Sequence, residues 1–185
     1  MKHQGTTTLE TERLILRRYK QTDAEDMYAN WASDPEVTKY LMWQTHSDVE
    51  VSRSYIESVI SEYSNLELYQ WGIELKELGQ VIGGISVVHM NNDVGSAHIG
   101  YCIGRPWWNR GITSEALSAV IKYLMDEVGV NRIESRHDSR NPNSGKVMEA
   151  CGLTYEGTLK ESDVNNQGIC DASWYAILRS EYYSQ

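Results

Sequence analysis

One stretch constrains the fold more than any other: Pro106-Trp107-Trp108-Asn109-Arg110-Gly111-Ile112-Thr113-Ser114-Glu115-Ala116, with an extended apolar segment before it and helical periodicity after it. A strand that stops at Pro106, a turn about Gly111 and a helix opening near Ile112 gather backbone N–H groups that have no helical partner. Such a helix start favours an anion. An ordinary turn joining a strand to a helix has the same outline, so the flanking chain has to discriminate.

Downstream, Ser114 to Val128 carries Ala116, Leu117, Val120, Ile121, Leu124 and Met125 on one face, which predicts an amphipathic helix that Gly129 ends. Asn131 to His137 alternates as a strand, so strand, crossover helix and strand imply a parallel βαβ unit. Asn141-Pro142 has the order of an N-cap and first-turn proline, opening a short helix to about Ala150 that Gly152 closes. Leu153 to Lys160 and Cys170 to Arg179 read as the last two strands, joined by a polar loop from Glu161 to Gly168.

Upstream, Glu12 to Tyr19 reads as a strand, and Thr22 with Glu25 has capping-box spacing for a helix through about Ala32. Asp34-Pro35 breaks that helix, Glu36 to His46 is aromatic and irregular, and Ser47 can cap a second helix with Val51, Tyr55, Ile56, Val59, Ile60 and Tyr63 as its stripe. From Tyr69 the period becomes extended, giving Tyr69 to Lys76, Val81 to Met90 and Val94 to Ile103, with turns at Leu78-Gly79-Gln80 and Asn91-Asn92-Asp93. The expected fold is α/β (α+β), a single domain over residues 1–185 with a mixed central sheet of about seven strands. Its N-terminal part is antiparallel, a βαβ unit follows, and helices cover both faces.

Composition narrows the partners. With 17 Lys+Arg against 26 Asp+Glu, the formal charge of −9 opposes direct binding to nucleic acid and suits an amine-bearing substrate. No apolar run is long enough to span a membrane and Met1 to Thr11 lacks a signal-peptide core, so a cytoplasmic protein is expected. Cys102, Cys151 and Cys170 lack metal-ligand spacing, so no metal and no disulfide framework are expected, and all three read as buried small hydrophobes. Neither a G-x-G-x-x-G after a strand nor a P-loop is present, which leaves no support for dinucleotide or triphosphate binding.

The order of strand, Trp108-Asn109-Arg110-Gly111-Ile112-Thr113-Ser114-Glu115-Ala116, helix, strand, then Asn141, Ser144, Val147 and Gly152-Leu153, resembles the GNAT superfamily of acetyl-CoA-dependent N-acetyltransferases. Thr11-Glu12-Arg13-Leu14-Ile15-Leu16-Arg17, Ile99-Gly100-Tyr101 and a closing strand with Asp171 and Tyr175 look most like its RimJ/RimL branch of ribosomal-protein N-terminal acetyltransferases. The resemblance implies direct acetyl transfer from acetyl-CoA to a primary amine in a ternary complex, without metal, in a possible homodimer. The acceptor would be a protein N-terminal α-amine or, alternatively, a small amine such as a polyamine, amino acid or antibiotic. A non-catalytic acyl-CoA-binding module is a further alternative.

The resemblance also implies site residues. Asn109, Arg110, Gly111, Ile112, Thr113 and Ser114 would hold the pyrophosphate of coenzyme A, Cys102, Ile103 and Gly104 would pair with the pantetheine arm, and Asn141 and Ser144 would lie beside it. Trp108, Asn109 and Thr113 depart from the family's usual Gln or Arg, Gly, and Gly or Ala. Ser144 is a candidate to protonate the departing thiolate, or else makes local helix-start bonds. Three side chains are candidates for the base: His98, which titrates in the useful range, and Glu161 and Asp163, which otherwise are solvated loop carboxylates. By alternation His98, Gly100 and Cys102 share one face and Ile99, Tyr101 and Ile103 the other. Glu115 suits the positive end of the helix it begins.

Overall fold

The expected alternation in the first half of the chain becomes an antiparallel meander. In the computed structural model, which describes residues 1–184, β1 (Leu9–Glu10), β2 (Leu14–Arg17), β3 (Gln70–Leu75), β4 (Gln80–Asn91) and β5 (Ser96–Ile103) each pair with their sequence neighbours. The Asn/Asp turn forms because Asn91 Oδ1 accepts from the N–H groups of Asp93 (3.0 Å) and Val94 (3.4 Å). Between β2 and β3 lie α1 (Asp23–Met27), which widens into a π turn over Tyr28–Ala32, then α2 (Pro35–Thr38) and α3 (Val49–Glu62). The crossover helix α4 (Ile112–Tyr123), again ending in a π turn, leads to β6 (Arg132–Asp138), parallel to β5. Then come α5 (Pro142–Ala150), β7 (Thr154–Asn165), β8 (Gly168–Leu178) and α6 (Arg179–Tyr182).

One sheet of eight strands results, in the order β1-β2-β3-β4-β5-β6-β8-β7. The strand beyond the expected seven is the two-residue β1. Helices cover both faces, as expected. On one face Ala116, Leu117, Val120 and Ile121 of α4 pack on Leu14, Ile73, Ile99 and Ile133; on the other Ala24, Met27, Trp31, Ile56 and Val59 enclose a second core. No helix among the described residues is long and apolar enough to cross a membrane.

Local chemistry differs from the sequence reading in three places. Thr22 makes no side-chain cap; Asp23 holds that corner instead, accepting from Lys20 N–H (2.7 Å) and pairing with Arg17 (2.8 Å). Asp48, not Ser47, caps α3, accepting from Glu50 and Val51 N–H, while Asp34 caps α2 through Glu36 N–H. Residues 161–168 are not a loop: β7 runs to Asn165 with an irregularity between Leu159 and Asp163, where Glu161 takes φ 48°, and the turn is only Asn166-Gln167. A bulge hides strand periodicity, because the extra residues shift the alternation.

Candidate active site

The register of β5 against β6 runs from Ser96↔Arg132 to His98↔Glu134 and stops. Beyond it β5 follows β4 and β6 follows β8, so the two strands part. Ser135 Oγ bridges the apex, donating to Ile99 O at 2.7 Å. The far end of β5 is seated against the α1 segment at Gly104, where a β-carbon would overlap the Asn30 carbonyl oxygen and the Trp107 ring. Along this wedge runs a cleft of about 790 Å³, a volume suited to a small-molecule ligand.

At one end of the cleft is the Gly111 turn. Asn109 (φ 58°) and Gly111 (φ 70°) both adopt the left-handed conformation, flanking Arg110. Asn supports that conformation better than most residues, which reconciles Asn109 with a position where related sequences carry Gly. The first α4 bond runs from Glu115 N–H to Gly111 O (3.0 Å), so the N–H groups of Ile112, Thr113 and Ser114 precede the ladder and lead outward. Arg110, in the turn itself, and Lys146 on α5 both line the cleft. Paired left-handed residues, free amides and two cations fit a pyrophosphate.

The turn is braced from the N-terminal segment. Glu115 Oε1 accepts from Thr11 Oγ1 (2.6 Å) and Arg13 N–H (2.9 Å), Glu115 Oε2 pairs with Arg13 Nε (2.6 Å), and Arg13 Nη1 donates to Arg110 O (2.9 Å). Burial pushes the Glu115 carboxyl up, but these bonds outweigh it and hold the group below its usual range. Glu115 is therefore a tether between two distant segments, which its place in the first helical turn did not reveal.

Parity corrects the strand edge. Gly104 N–H donates to Ile82 O (2.9 Å), so Gly104, and Cys102 with it, turn their amides toward β4. The edge facing the wedge belongs to Ile99, Tyr101 and Ile103, and Ile103 O already accepts from Trp108 Nε1 (2.8 Å). All three cysteines are free; Cys170 is buried, whereas Cys102 and Cys151 are only partly so. The Cys102 thiol is pushed up to about 12 by burial.

Asn141 and Ser144 open α5 on the cleft wall. Asn141 makes no side-chain cap; its carbonyl accepts Ser144 N–H (3.2 Å). Ser144 O accepts from the Tyr101 hydroxyl (2.8 Å), which ties α5 to β5 beside the wedge.

On the opposite face His98 is buried, its Nε2 3.2 Å from Arg136 Nη1, its Nδ1 3.9 Å from Glu134, and its ring edge-on to Trp174. Because a guanidinium can only donate, Nε2 must be the acceptor and its lone pair is engaged. Burial, then the Arg136 charge, lower the imidazole to about 4 against the pull of Glu134 and Asp163. Asp163 lines the cleft with Oδ2 on Arg136 Nε (2.6 Å) and Oδ1 on Val164 N–H (2.9 Å). Burial raises its carboxyl, but those two partners leave it below the usual range. Glu161 is brought nowhere near: the β7 bulge turns it to solvent, with its N–H on Asp171 Oδ1 (2.8 Å). Arg136, central to this cluster, gave no signal in the sequence beyond alternation with Glu134. Among the described residues no three His, Cys, Asp or Glu side chains converge on a metal-sized site.

The two irregular segments that flank the cleft are stitched together. Asn166 N–H donates to Leu41 O (3.1 Å), its side-chain amide donates to Thr38 O and Trp43 O, and its Oδ1 accepts from Gln44 Nε2 (2.6 Å). Residues 38–44 thus form a fixed roof, with Tyr40, Met42 and Trp43 among the cleft's walls.

Residues 13–154 match the family described as the acetyltransferase (GNAT) domain. The chain is 33% identical to the uncharacterized N-acetyltransferase p20 of Bacillus licheniformis, over 95% of this chain and 98% of that one. It is 26% identical to the [ribosomal protein uS5]-alanine N-acetyltransferase of Escherichia coli, over 83% and 81%. Its fold superposes with a TM-score of 0.81, at 22% identity over 91% and 93%, on the microcin C7 self-immunity acetyltransferase MccE, solved with acetyl-CoA and AMP. With the splayed strands and the amide-lined turn, these matches establish that the chain belongs to the GNAT acetyltransferase family and is an acetyl-CoA-dependent N-acetyltransferase.

Proposed function

We propose that the chain acts as one catalytic unit over residues 1–185, passing the acetyl group directly to a primary amine in a ternary complex. The observation that carries this reading is a single cleft lined by the amide-bearing turn of Gly111, by Ser144 and by Asp163. Asn109 to Ser114 would hold the pyrophosphate, with charge from Arg110 and Lys146. The backbone edge of Tyr101 and Ile103 that turns away from β4 would face the pantetheine arm, with the Ile103 carbonyl already taken by Trp108. Acetyl-CoA supplies the acetyl group as an activated thioester. Ser144 Oγ is the proton donor to the departing thiolate, and Asp163 accepts an N–H of the incoming amine, orienting its lone pair while solvent removes the proton. Engagement of Nε2 argues against His98 as base, and exposure argues against Glu161.

Isothermal titration with acetyl-CoA and a thiol-release assay across an amine panel test this reading. Saturable binding with thiol release is expected. Binding without release from any amine would instead favour a non-catalytic acyl-CoA-binding module. Gly111→Val should abolish binding, because a β-branched residue resists the left-handed conformation and would crowd the anion; unchanged affinity counts against the pyrophosphate assignment.

We also infer a homodimer. Tyr155, Leu159 and Val164 are exposed on β7, one of the two edge strands, where a second copy would cover them. A monomer in sedimentation equilibrium at micromolar concentration would refute it.

A further inference from the structure

The Arg136–Asp163 pair is more than a structural salt bridge, because neither partner is saturated. A guanidinium has five N–H donors. Arg136 Nε is spent on Asp163 and one Nη1 hydrogen on His98; Nη2 faces only the Met42 thioether at 4.0 Å, a poor acceptor. Three N–H groups are therefore left without an oxygen or nitrogen acceptor among the described residues. The group is nonetheless immobilised, stacked over the Trp174 ring at 5.2 Å and a quarter exposed to the cleft. Asp163 uses one lone pair on each oxygen, so each retains another.

The cleft thus presents a fixed positive group with spare donors beside a fixed negative group with spare acceptors, their polar atoms 2.6 Å apart. An α-amino acid carries the complementary pattern, a carboxylate and an amino group attached to the same carbon. We propose that Arg136 and Asp163 together select a free α-amino acid as the acceptor, Arg136 taking its carboxylate and Asp163 its amine. A peptide N-terminus offers only a neutral carbonyl to Arg136, and a polyamine brings a second cation to it. The roof of residues 38–44, fastened by Asn166, agrees with an acceptor small enough to be enclosed. Arg136 acts on specificity, since a carboxylate held there lies two bonds from the reacting nitrogen and takes no part in the transfer.

This inference rests on the acetyl-transfer reading, and its test separates the two. The acetyl-CoA-loaded protein is assayed with the L-amino acids, their carboxamides, a polyamine and an Ala-initiated peptide, in the wild type, Arg136→Gln and Arg136→Lys. The expected result is a preference for at least one amino acid over its carboxamide of roughly ten- to a hundredfold in kcat/KM, the scale of one charged hydrogen bond. Arg136→Gln should abolish that preference by raising the KM of the amino acid far more than that of its carboxamide, and Arg136→Lys should restore part of it. A carboxamide, polyamine or peptide preferred over every amino acid overturns the proposal, as does a preference that survives Arg136→Gln. If thiol is released from no amino acid and none binds the coenzyme A-loaded protein, the proposal also fails, while acetyl-CoA affinity independently reports whether the cofactor reading stands.

Discussion

At the scale of single residues, the chemistry of the cleft follows from which lone pairs are already occupied. His98 has a histidine's capacity to move protons, but burial and the Arg136 contact keep it neutral with its acceptor nitrogen engaged. His98→Gln, which can still accept from Arg136, should therefore keep kcat within a few-fold of wild type. A loss of two orders of magnitude, with disappearance of an acid limb near pH 6.5 in the kcat/KM profile, would restore His98 as the base. Ser144 is the opposite case, a cleft-lining residue whose hydroxyl has no hydrogen-bond partner among the described residues. Ser144→Ala should lower kcat by roughly ten- to a hundredfold, the range of one general acid, with little change in acetyl-CoA affinity by titration; unchanged kcat would leave Ser144 only its backbone role toward Tyr101. Such distinctions were beyond the sequence, because residue type states what a side chain can do and only the neighbours state what it is free to do.

At the scale of elements, the turn and α4 were readable because their determinants are local: Gly111 for the left-handed corner, then a stripe at helical spacing that is buried where expected. The parallel pairing followed from the crossover helix. Sequence could not show how far β5 and β6 stay paired, because the parting is set by what each strand follows on its other side. The far end of β7, from Glu161 to Asn165, has the sequence look of a loop because the bulge breaks the alternation, while the two strands of the hairpin were themselves legible. The role of Glu115 is hidden in the sequence for a related reason, its partners Thr11 and Arg13 lying about a hundred residues away. The tether has a measurable role. Glu115→Ala removes the three bonds that Thr11 and Arg13 donate to its carboxylate and leaves the turn held only by Arg13 Nη1 on Arg110 O. It should cost about 1–3 kcal/mol in urea denaturation, the scale of lost hydrogen bonds to a charged group. It should also raise the acetyl-CoA dissociation constant several-fold. Loss of stability with unchanged acetyl-CoA affinity would show that the tether serves folding alone.

At the scale of the whole molecule, the acceptor side of the sheet is held by buried charges that respond to acid in two separate windows. Asp138 closes β6: its carboxylate accepts from Arg140 N–H (2.8 Å), Nε (2.9 Å) and Nη2 (2.6 Å) and from Asn165 Nδ2 (2.7 Å), joining β6 to the α5 approach and to β7. Burial raises its carboxyl, yet these bonds outweigh it and hold the group well below the usual range. A depressed carboxylate contributes stability that is complete above its unfolded value, about 3.9, and is lost as pH falls below it. His98 acts in the window above. Its folded value of about 4 lies under the unfolded value of about 6.5, so between these the unfolded chain binds the proton more readily and stability falls on acidification. At 1.36 kcal/mol per pH unit that slope is worth on the order of 3 kcal/mol. The groups facing His98 are Glu134 and Arg136 from β6, Asp163 from β7 and His89 from β4. Thermal unfolding from pH 8 to pH 3 should therefore decline first between pH 6.5 and 4 and again below 4. His98→Gln should flatten the first decline and leave the second, whereas Asp138→Asn should lower stability at neutral pH and flatten only the second. If His98→Gln unfolds with the wild-type slope between pH 6.5 and 4, the imidazole is not held neutral by its surroundings, and the geometric case against it as the base falls too.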